Sequence, residues 1–384
     1  MATETRESES GFAPGVTPTS GWARIWTHRR FVAWLLWPAS LLYRLLLASR
    51  GWLYRTGVWR SVRLPVPVVV VGNVAVGGGG KTPTVLALVK HLQARGWNPG
   101  IVSRGYGGQA LAANPTACLR VDTRPGSAHL YGDEPVLLAL GSGVPVVVGR
   151  RRADAARSLL EQAPAVDIIV SDDGMQHWAM ARDLTLVLFD ERGLGNGWLL
   201  PAGLLREPWP PARGPRPWLS SSPERPAFVV LPRTGGSPLP ADGFPRFQVR
   251  RQLSAQAVSA NGDKRLLADI AAACKANHTP LYALAGIAQP QRFFQMLQEQ
   301  GLPLAQTLPL PDHASGQTIL QALQEAMARQ PEAVWLCTEK DAVKCFEALP
   351  DKYRARVWAV PLEQHIAPAF WDELDSYLAA WRKP

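Results

Sequence analysis

The chain has 384 residues, a formal net charge of +10 and 47% hydrophobic residues, enough apolar content for two domains of ordinary size. Its 33 Gly and 34 Pro follow no period, which excludes a collagen-like chain, and no solenoid repeat is present. Cys118, Cys274, Cys337 and Cys345 form no CxxC pair, which argues against a disulfide or zinc framework and for reduced thiols in a cytosolic protein.

Residues 1–20 are polar, with Gly, Pro, Ser and Thr, and read as a disordered N-terminus. They lack the basic start and small-residue cleavage site of a signal peptide. From Ser10 to Val121 the chain has no Asp or Glu but 13 Lys or Arg. That asymmetry should face something anionic: a nucleotide, an acidic lipid surface or nucleic acid. Residues 21–63 add apolar character: Phe31–Tyr43 is uncharged, and six of the 15 Trp fall in this part. Pro38 and Arg44 interrupt the run, whereas a spanning helix needs about 20 apolar residues. The expectation is an amphipathic segment lying in a membrane interface, with an ordinary core helix as the bland alternative and a transmembrane anchor as the third reading.

Residues 66–84, VPVVVVGNVAVGGGGKTPT, follow. The β-branched run Val66–Val71 reads as a buried parallel strand. Gly77, Gly78, Gly79 and Gly80 then lead into Lys81, Thr82 and Pro83 and a helical pattern that stops at Gly96. Strand, glycine loop, Lys-Thr and helix make a phosphate-binding loop. Successive N–H groups and the helix N-terminus hold the anion, Lys81 reaches the β- and γ-phosphates, and the Thr82 hydroxyl can ligate Mg²⁺. The strict pattern wants glycine where this chain has Ala75.

Further strands are expected at 100–103, 144–148, 166–170 and 184–189, with a helix from 150 to about 162. This alternation argues for a doubly wound α/β domain over residues 64–190. Residues 191–226 are rich in Gly and Pro and read as the linker. A second, smaller α/β domain is expected at 227–365, with strands at 227–231, 247–249, 281–285, 334–337 and 357–360 and helices at 264–276, 290–300 and 316–329. Residues 368–381 read as an amphipathic helix.

Asp172 and Asp173 end a Walker B-type strand, where one carboxylate should hold Mg²⁺ opposite Thr82. Adjacent acids on a strand point apart, so their roles should split. Asp133 and Glu134 stand in a GDEP turn. Asp133 either caps the helix that starts at Pro135 or Val136, or takes a proton from an acceptor hydroxyl near the γ-phosphate. His313 and His177 are lone histidines without metal spacing. Thr338–Lys344, TEKDAVK, either caps a helix or brings cations to substrate phosphate, and the cap is the safer reading.

Together these motifs resemble the tetraacyldisaccharide 4′-kinase family, the lipid A 4′-kinases. The resemblance rests on GNVAVGGGGKTPT (72–84), SRGYGG (103–108), GDEP (132–135), SDDGMQH (171–177), GNGWLLPAGLLREP (195–208), AGIAQPQRFF (285–294), PDH (311–313) and TEKDAVK (338–344). It implies a P-loop NTPase-like domain, a second α/β domain, and a C-terminal helix (366–384) that returns to the first. The family's glycine loop is itself extended relative to the strict pattern. The implied reaction transfers the γ-phosphate of ATP to the 4′-hydroxyl of a tetraacyldisaccharide 1-phosphate, making lipid IVA. Asp133 and His313 match a catalytic dyad, Lys81 and Thr82 match nucleotide and Mg²⁺ positions, and Asp172 and Asp173 match the metal pair. Arg104, Gln176 and Arg206 match active-site positions, and Glu134 is a further candidate contact. The implied setting is a monomer on the anionic cytoplasmic face of a Gram-negative inner membrane, with no nucleic acid. The competing class is a P-loop NTPase acting as a switch or metal-insertion factor. It would need an NKxD-type motif or a His/Cys cluster, and the sequence has neither.

Overall fold

The computed structural model describes residues 25–77, 80–124, 126–210, 227–232, 239, 243–312 and 314–382. Residues 1–20, Gly78, Gly79, His313 and 211–226 of the expected linker lie outside them.

Helix α1 (Phe31–Arg55) leads. Then come β1 (Val68–Gly72), α2 (Lys81–Ala94), β2 (Pro99–Ser103), β3 (Cys118–Arg120), α3 (Asp133–Ser142) and β4 (Val146–Gly149). The same region continues with α4 (Arg152–Gln162), β5 (Ile168–Asp172), β6 (Leu184–Leu188), β7 (Ala227–Pro232) and β8 (Arg246–Leu253). The chain continues through β9 (Gln256–Ser259), β10 (Lys264–Leu266), α5 (Leu267–Ala276), β11 (Leu281–Ala285), α6 (Pro290–Glu299) and β12 (Leu304–Pro309). It ends with α7 (Gly316–Arg329), β13 (Val334–Thr338), α8 (Glu339–Cys345), β14 (Val357–Val360), β15 (Leu362–Ile366) and α9 (Pro368–Ala379).

The first sheet has the order β15-β8-β7-β6-β1-β5-β2-β4-β3, and the second β10-β9-β14-β13-β11-β12. β1 lies parallel between β5 and β6. Its valines alternate: Val68 and Val70 join one core layer, and Val69 and Val71 the other. All four are at most 1% exposed, which makes β1 the centre of a three-layer domain. Each fully buried Val contributes about 1.5–3 kcal/mol relative to exposure. Val85, Leu88, Val89 and Leu92 of α2 cover the second face together with Phe370, Leu374 and Leu378 of α9. The chain runs outward from β1 to β2 and returns to the other side of β1 as β6. That reversal leaves a crevice at the carboxyl ends of β1, β5 and β6.

Two expectations need correction. β7 and β8 belong to the first sheet, parallel to β6 and to each other, and β15 pairs antiparallel with β8. The second sheet therefore begins at β9, not at residue 227. A run such as Ala227–Val230, buried on both faces, looks the same from sequence whichever sheet receives it. Nor is the first half of the Gly/Pro-rich stretch a loose linker: Leu199, Ala202, Leu204, Leu205 and Trp209 are all buried.

α1 also differs from the interrupted run read from sequence. It is continuous through Pro38 for 25 residues, roughly 37 Å at 1.5 Å per residue. Proline removes one backbone donor, but buried Ala33 and Ser40 fasten the helix on either side of it. The helix faces the protein along a stripe that includes Ala33, Ser40, Tyr43, Leu47 and Tyr54. Its other face presents Phe31 (81% exposed), Leu35 (70%), Leu42 (60%) and Leu45 (65%) to solvent. By length and composition the helix could cross a membrane.

Candidate active site

After β1 the chain forms an isolated antiparallel bridge with the 204–206 stretch. The Val76 N–H donates to the Leu204 carbonyl (2.8 Å), the Arg206 N–H donates to the Val74 carbonyl (2.6 Å), and Ala75 bridges Leu205. Ala75 therefore needs no glycine, because its backbone is that of a strand. Among the described residues of the loop, positive φ falls at Gly77 (φ +113°) and Gly80 (φ +77°). Side chains also crowd these two positions. A Cβ at Gly77 would stand 2.5 Å from Arg192 Nη2, and one at Gly80 would stand 2.7 Å from Arg251 Nε. Gly80 is the N-cap of α2 and no side chain caps it, so the first-turn N–H groups of α2 suit an anion.

Lys81, Thr82 and Pro83 are the first three residues of α2. Lys81 Nζ lies 3.5 Å from Asn73 Oδ1 and 3.8 Å from Asp173 Oδ1. Asn73 braces the loop by donating from Nδ2 to the Gly77 carbonyl (2.7 Å).

The two acids split as adjacency requires. Asp172 closes β5, and Asp173 follows at φ +46°, a left-handed conformation that Asp tolerates. Asp172 is 3% exposed and takes a hydrogen bond on Oδ2 from Ser103 Oγ (3.1 Å), while Oδ1 has no partner among the described residues. Burial, reinforced by Glu134 and Asp173, pushes its pKa up to about 6. Burial also opposes ionisation of Asp173, but Lys81 and Arg206 outweigh it and hold that carboxyl below its ordinary range.

Arg206 donates from Nη1 to both oxygens of Asp173 (3.2 and 3.4 Å) and to Gln176 Oε1 (3.3 Å). Gln176 Nε2 donates to the Asn73 carbonyl (3.3 Å), closing the ring back to the P-loop. Arg104 is exposed at the end of β2. Burial, then Arg152, Arg104 and Arg182, depresses His177 to about 3, so His177 is neutral at working pH and supplies no cation.

Asp133 does not cap its helix. α3 starts at Asp133 itself, and the N-cap is Gly132 at φ +94°. Its carboxylate instead pairs with Lys344 Nζ (3.3 Å) and lies 4.0 Å from Lys340 Nζ, while Glu134 stands 3.8 Å from Lys340. Both lysines come from α8 of the second domain. The TEKDAVK stretch thus does two things: Thr338 caps α8 by accepting from the Asp341 N–H (3.2 Å), and the two lysines cross to Asp133. His313 lies outside the described residues. Its neighbour Ala314 accepts from Lys344 Nζ (3.1 Å), the same group that pairs with Asp133.

The sequence reading missed Asn73, Ser103, Arg152, Arg192 and Arg251. Arg152 is 2% exposed, donates to the Gly149 (2.9 Å) and Asp172 (3.2 Å) carbonyls, and is lowered by burial only to about 10. Its place in an Arg-Arg-Arg run gave no sign that it is the buried one. Arg192, fixed on Asp190, donates to the Val76 carbonyl (2.7 Å). Arg251 arrives from β8, and no local motif could have linked it to the loop.

The family model described as tetraacyldisaccharide-1-P 4′-kinase matches residues 32–379. The tetraacyldisaccharide 4′-kinase of Acidovorax sp. (strain JS42) is 48% identical over 355 residues, covering 92% of this chain and 93% of that one. The protein of the same name from Bordetella parapertussis is 43% identical over 371 residues, covering 94% and 96%. Among solved structures, the fold is similar to that of LpxK from Aquifex aeolicus in complex with ATP. The TM-score is 0.70 at 25% identity, covering 91% of this chain and 99% of that one.

Proposed function

The chain belongs to the tetraacyldisaccharide 4′-kinase family, and from that premise we propose that the crevice above β1, β5 and β6 is where it phosphorylates lipid. It is an ATP-dependent kinase that transfers the γ-phosphate to the 4′-hydroxyl of tetraacyldisaccharide 1-phosphate, giving lipid IVA. One observation carries the assignment of the site. The uncapped start of α2, with Lys81, faces a split acid pair whose ionised member is clamped by Arg206.

The α2 N–H groups and Lys81 bind the β- and γ-phosphates. Thr82, Asp172 and Asp173 would hold Mg²⁺, and the orphaned Asp172 Oδ1 supports that fit. Mg²⁺, when bound, neutralises charge on the transferring phosphoryl group. Arg206 and Gln176 orient the acid pair against the loop. As the 4′-oxygen bonds to phosphorus and the bond to ADP breaks, the hydroxyl proton passes to the Asp133–His313 dyad. Lys344 holds the Asp133 carboxylate and, through Ala314, the chain next to residue 313. Arg104 and Glu134 stand at the rim as substrate contacts.

The enzyme works on the cytoplasmic face of the inner membrane, a reading that the exposed apolar face of α1 supports. A contiguous row of Phe, Trp and Leu in water has a hydrophobic reason to enter an acyl boundary, and flanking Arg residues meet anionic headgroups. The contacts of α1 with the protein run from Ala33 to Tyr54, so it lies along the domain rather than leaving it to span.

The test is ATP consumption by purified protein in mixed micelles with and without tetraacyldisaccharide 1-phosphate. Consumption should require the acceptor. Equal turnover without lipid would replace the kinase reading with a nucleotide-driven switch.

A further inference from the structure

The protein-facing stripe of α1 and residues 199–205 have no task in the reaction as described, yet they adjoin Arg206 and Gln176, which do. Residues 199–206 are clasped between α1 and the P-loop. On the α1 side, Ser40 Oγ donates to the Leu199 carbonyl (2.9 Å) and accepts from the Ala202 N–H (3.0 Å). Trp26 Nε1 donates to the Pro201 carbonyl (2.9 Å). On the other side, Leu204 and Arg206 make the backbone hydrogen bonds to Val76 and Val74 that shape the P-loop. Two bonds from α1 end on the site residues themselves. Tyr43 Oη donates to the carbonyl of Arg206 (2.9 Å), and Arg50 Nη2 donates to the carbonyl of Gln176 (2.8 Å). The Arg50 guanidinium also sits 4.4 Å from the ring centre of Trp178, which fixes its direction.

We infer that Tyr43 and Arg50 are positioning residues for phosphoryl transfer, which makes the membrane-facing helix a structural arm of the active site. A long side chain is aimed by its own backbone. Holding the Arg206 and Gln176 carbonyls fixes where the guanidinium and amide start, and the guanidinium donates to the amide oxygen at 3.3 Å and to Asp173 at 3.2 Å. Misplacement by about 1 Å is costly in a reaction that depends on positioning. The opposite face of the same helix carries Leu42, Leu45 and Leu46, all more than half exposed. A shift of α1 on the membrane therefore reaches Arg206 and Gln176 through one hydrogen bond each.

This inference rests on Arg206 and Gln176 acting in the site, and the experiment separates the two claims. Full-length Tyr43→Phe and Arg50→Lys keep the ring and the positive charge while removing or displacing the bond. Both are assayed for kcat, for KM of ATP and lipid in mixed micelles, and for co-sedimentation with phosphatidylglycerol-containing vesicles. Each should lower kcat about 3- to 10-fold, the scale of one hydrogen bond, with lipid KM and vesicle binding within about two-fold of wild type. In an Arg206→Ala background, Tyr43→Phe should cost almost nothing more, because its effect runs through that guanidinium. Normal kcat in Arg206→Ala would defeat the site assignment itself. An impaired Arg206→Ala beside an unimpaired Tyr43→Phe and Arg50→Lys would overturn the inference. So would a multiplicative double mutant, or a loss confined to vesicle binding.

Discussion

Replacing Asp172 by Asn should make the protein more stable and almost inactive. Asp172 is 3% exposed, its Oδ1 lacks a partner among the described residues, and its pKa rises from 3.8 to about 6 through burial first and then Glu134 and Asp173. Between those two values the folded chain holds a proton that the unfolded chain has lost. Stability therefore falls as pH rises from about 4 to 6 and stays reduced above that. At 1.36 kcal/mol per pH unit, the ionised carboxylate costs the folded state roughly 3 kcal/mol at neutral pH. Asn carries no charge, has nearly the same shape, and can still accept from Ser103 Oγ. In EDTA at pH 7.5, thermal unfolding of Asp172→Asn should come roughly 4 °C above wild type. The gap should close below pH 4, where wild-type Asp172 is neutral in both states. MgATP should stabilise wild type far more than the variant, since the variant lacks the charge that draws the cation. A variant no more stable than wild type at pH 7.5 would refute the view of Asp172 as a strained, metal-seeking carboxylate.

Lys81→Ala and Thr82→Ala should each abolish phosphoryl transfer with unchanged circular dichroism; near-normal turnover in both would remove the nucleotide assignment. Asp133→Ala and His313→Ala should each lower kcat by at least about 10²-fold. The double mutant should be little worse than the poorer single, and multiplied losses would mean the two act separately. Paired Leu42→Glu and Leu45→Glu on the exposed face of α1 should shift the protein from the membrane pellet to the supernatant, whereas high salt alone should release wild type poorly. Unchanged pelleting would remove that face from the membrane.

The parts of the site legible in the sequence are those built from neighbours in the chain. The run of valines in β1 reads as a buried strand, and glycines followed by Lys-Thr read as the opening of a helix toward an anion. Asp172-Asp173 at the end of a hydrophobic strand announced itself for the same reason. What stayed hidden depends on distant pairing. Gly80 is crowded by Arg251 only because β8 adds to the first sheet, 170 residues after the loop. The boundary was misplaced by the same ambiguity: proline and glycine in 191–210 signal irregular backbone, which can be buried as readily as it can be a linker. Asp133 reads from sequence as a cap or as a proton acceptor, because GDEP is good capping sequence. Only the lysines of α8, brought across from the other domain, show that its carboxylate is engaged elsewhere. α1 was judged too interrupted because a proline and an arginine weaken any single-helix argument; the hydrogen bonds of Ser40, Tyr43 and Arg50 with the domain could not enter it.

The most direct test of the central claim is the position of the transferred phosphate. Purified protein is incubated with MgATP and tetraacyldisaccharide 1-phosphate, and the lipid product is examined by phosphorus–proton correlated NMR. A new phosphomonoester coupled to the proton on C4′, formed by wild type and lost in Lys81→Ala, is the predicted result. Free phosphate with unmodified lipid, or a phosphate at any other position, would contradict it.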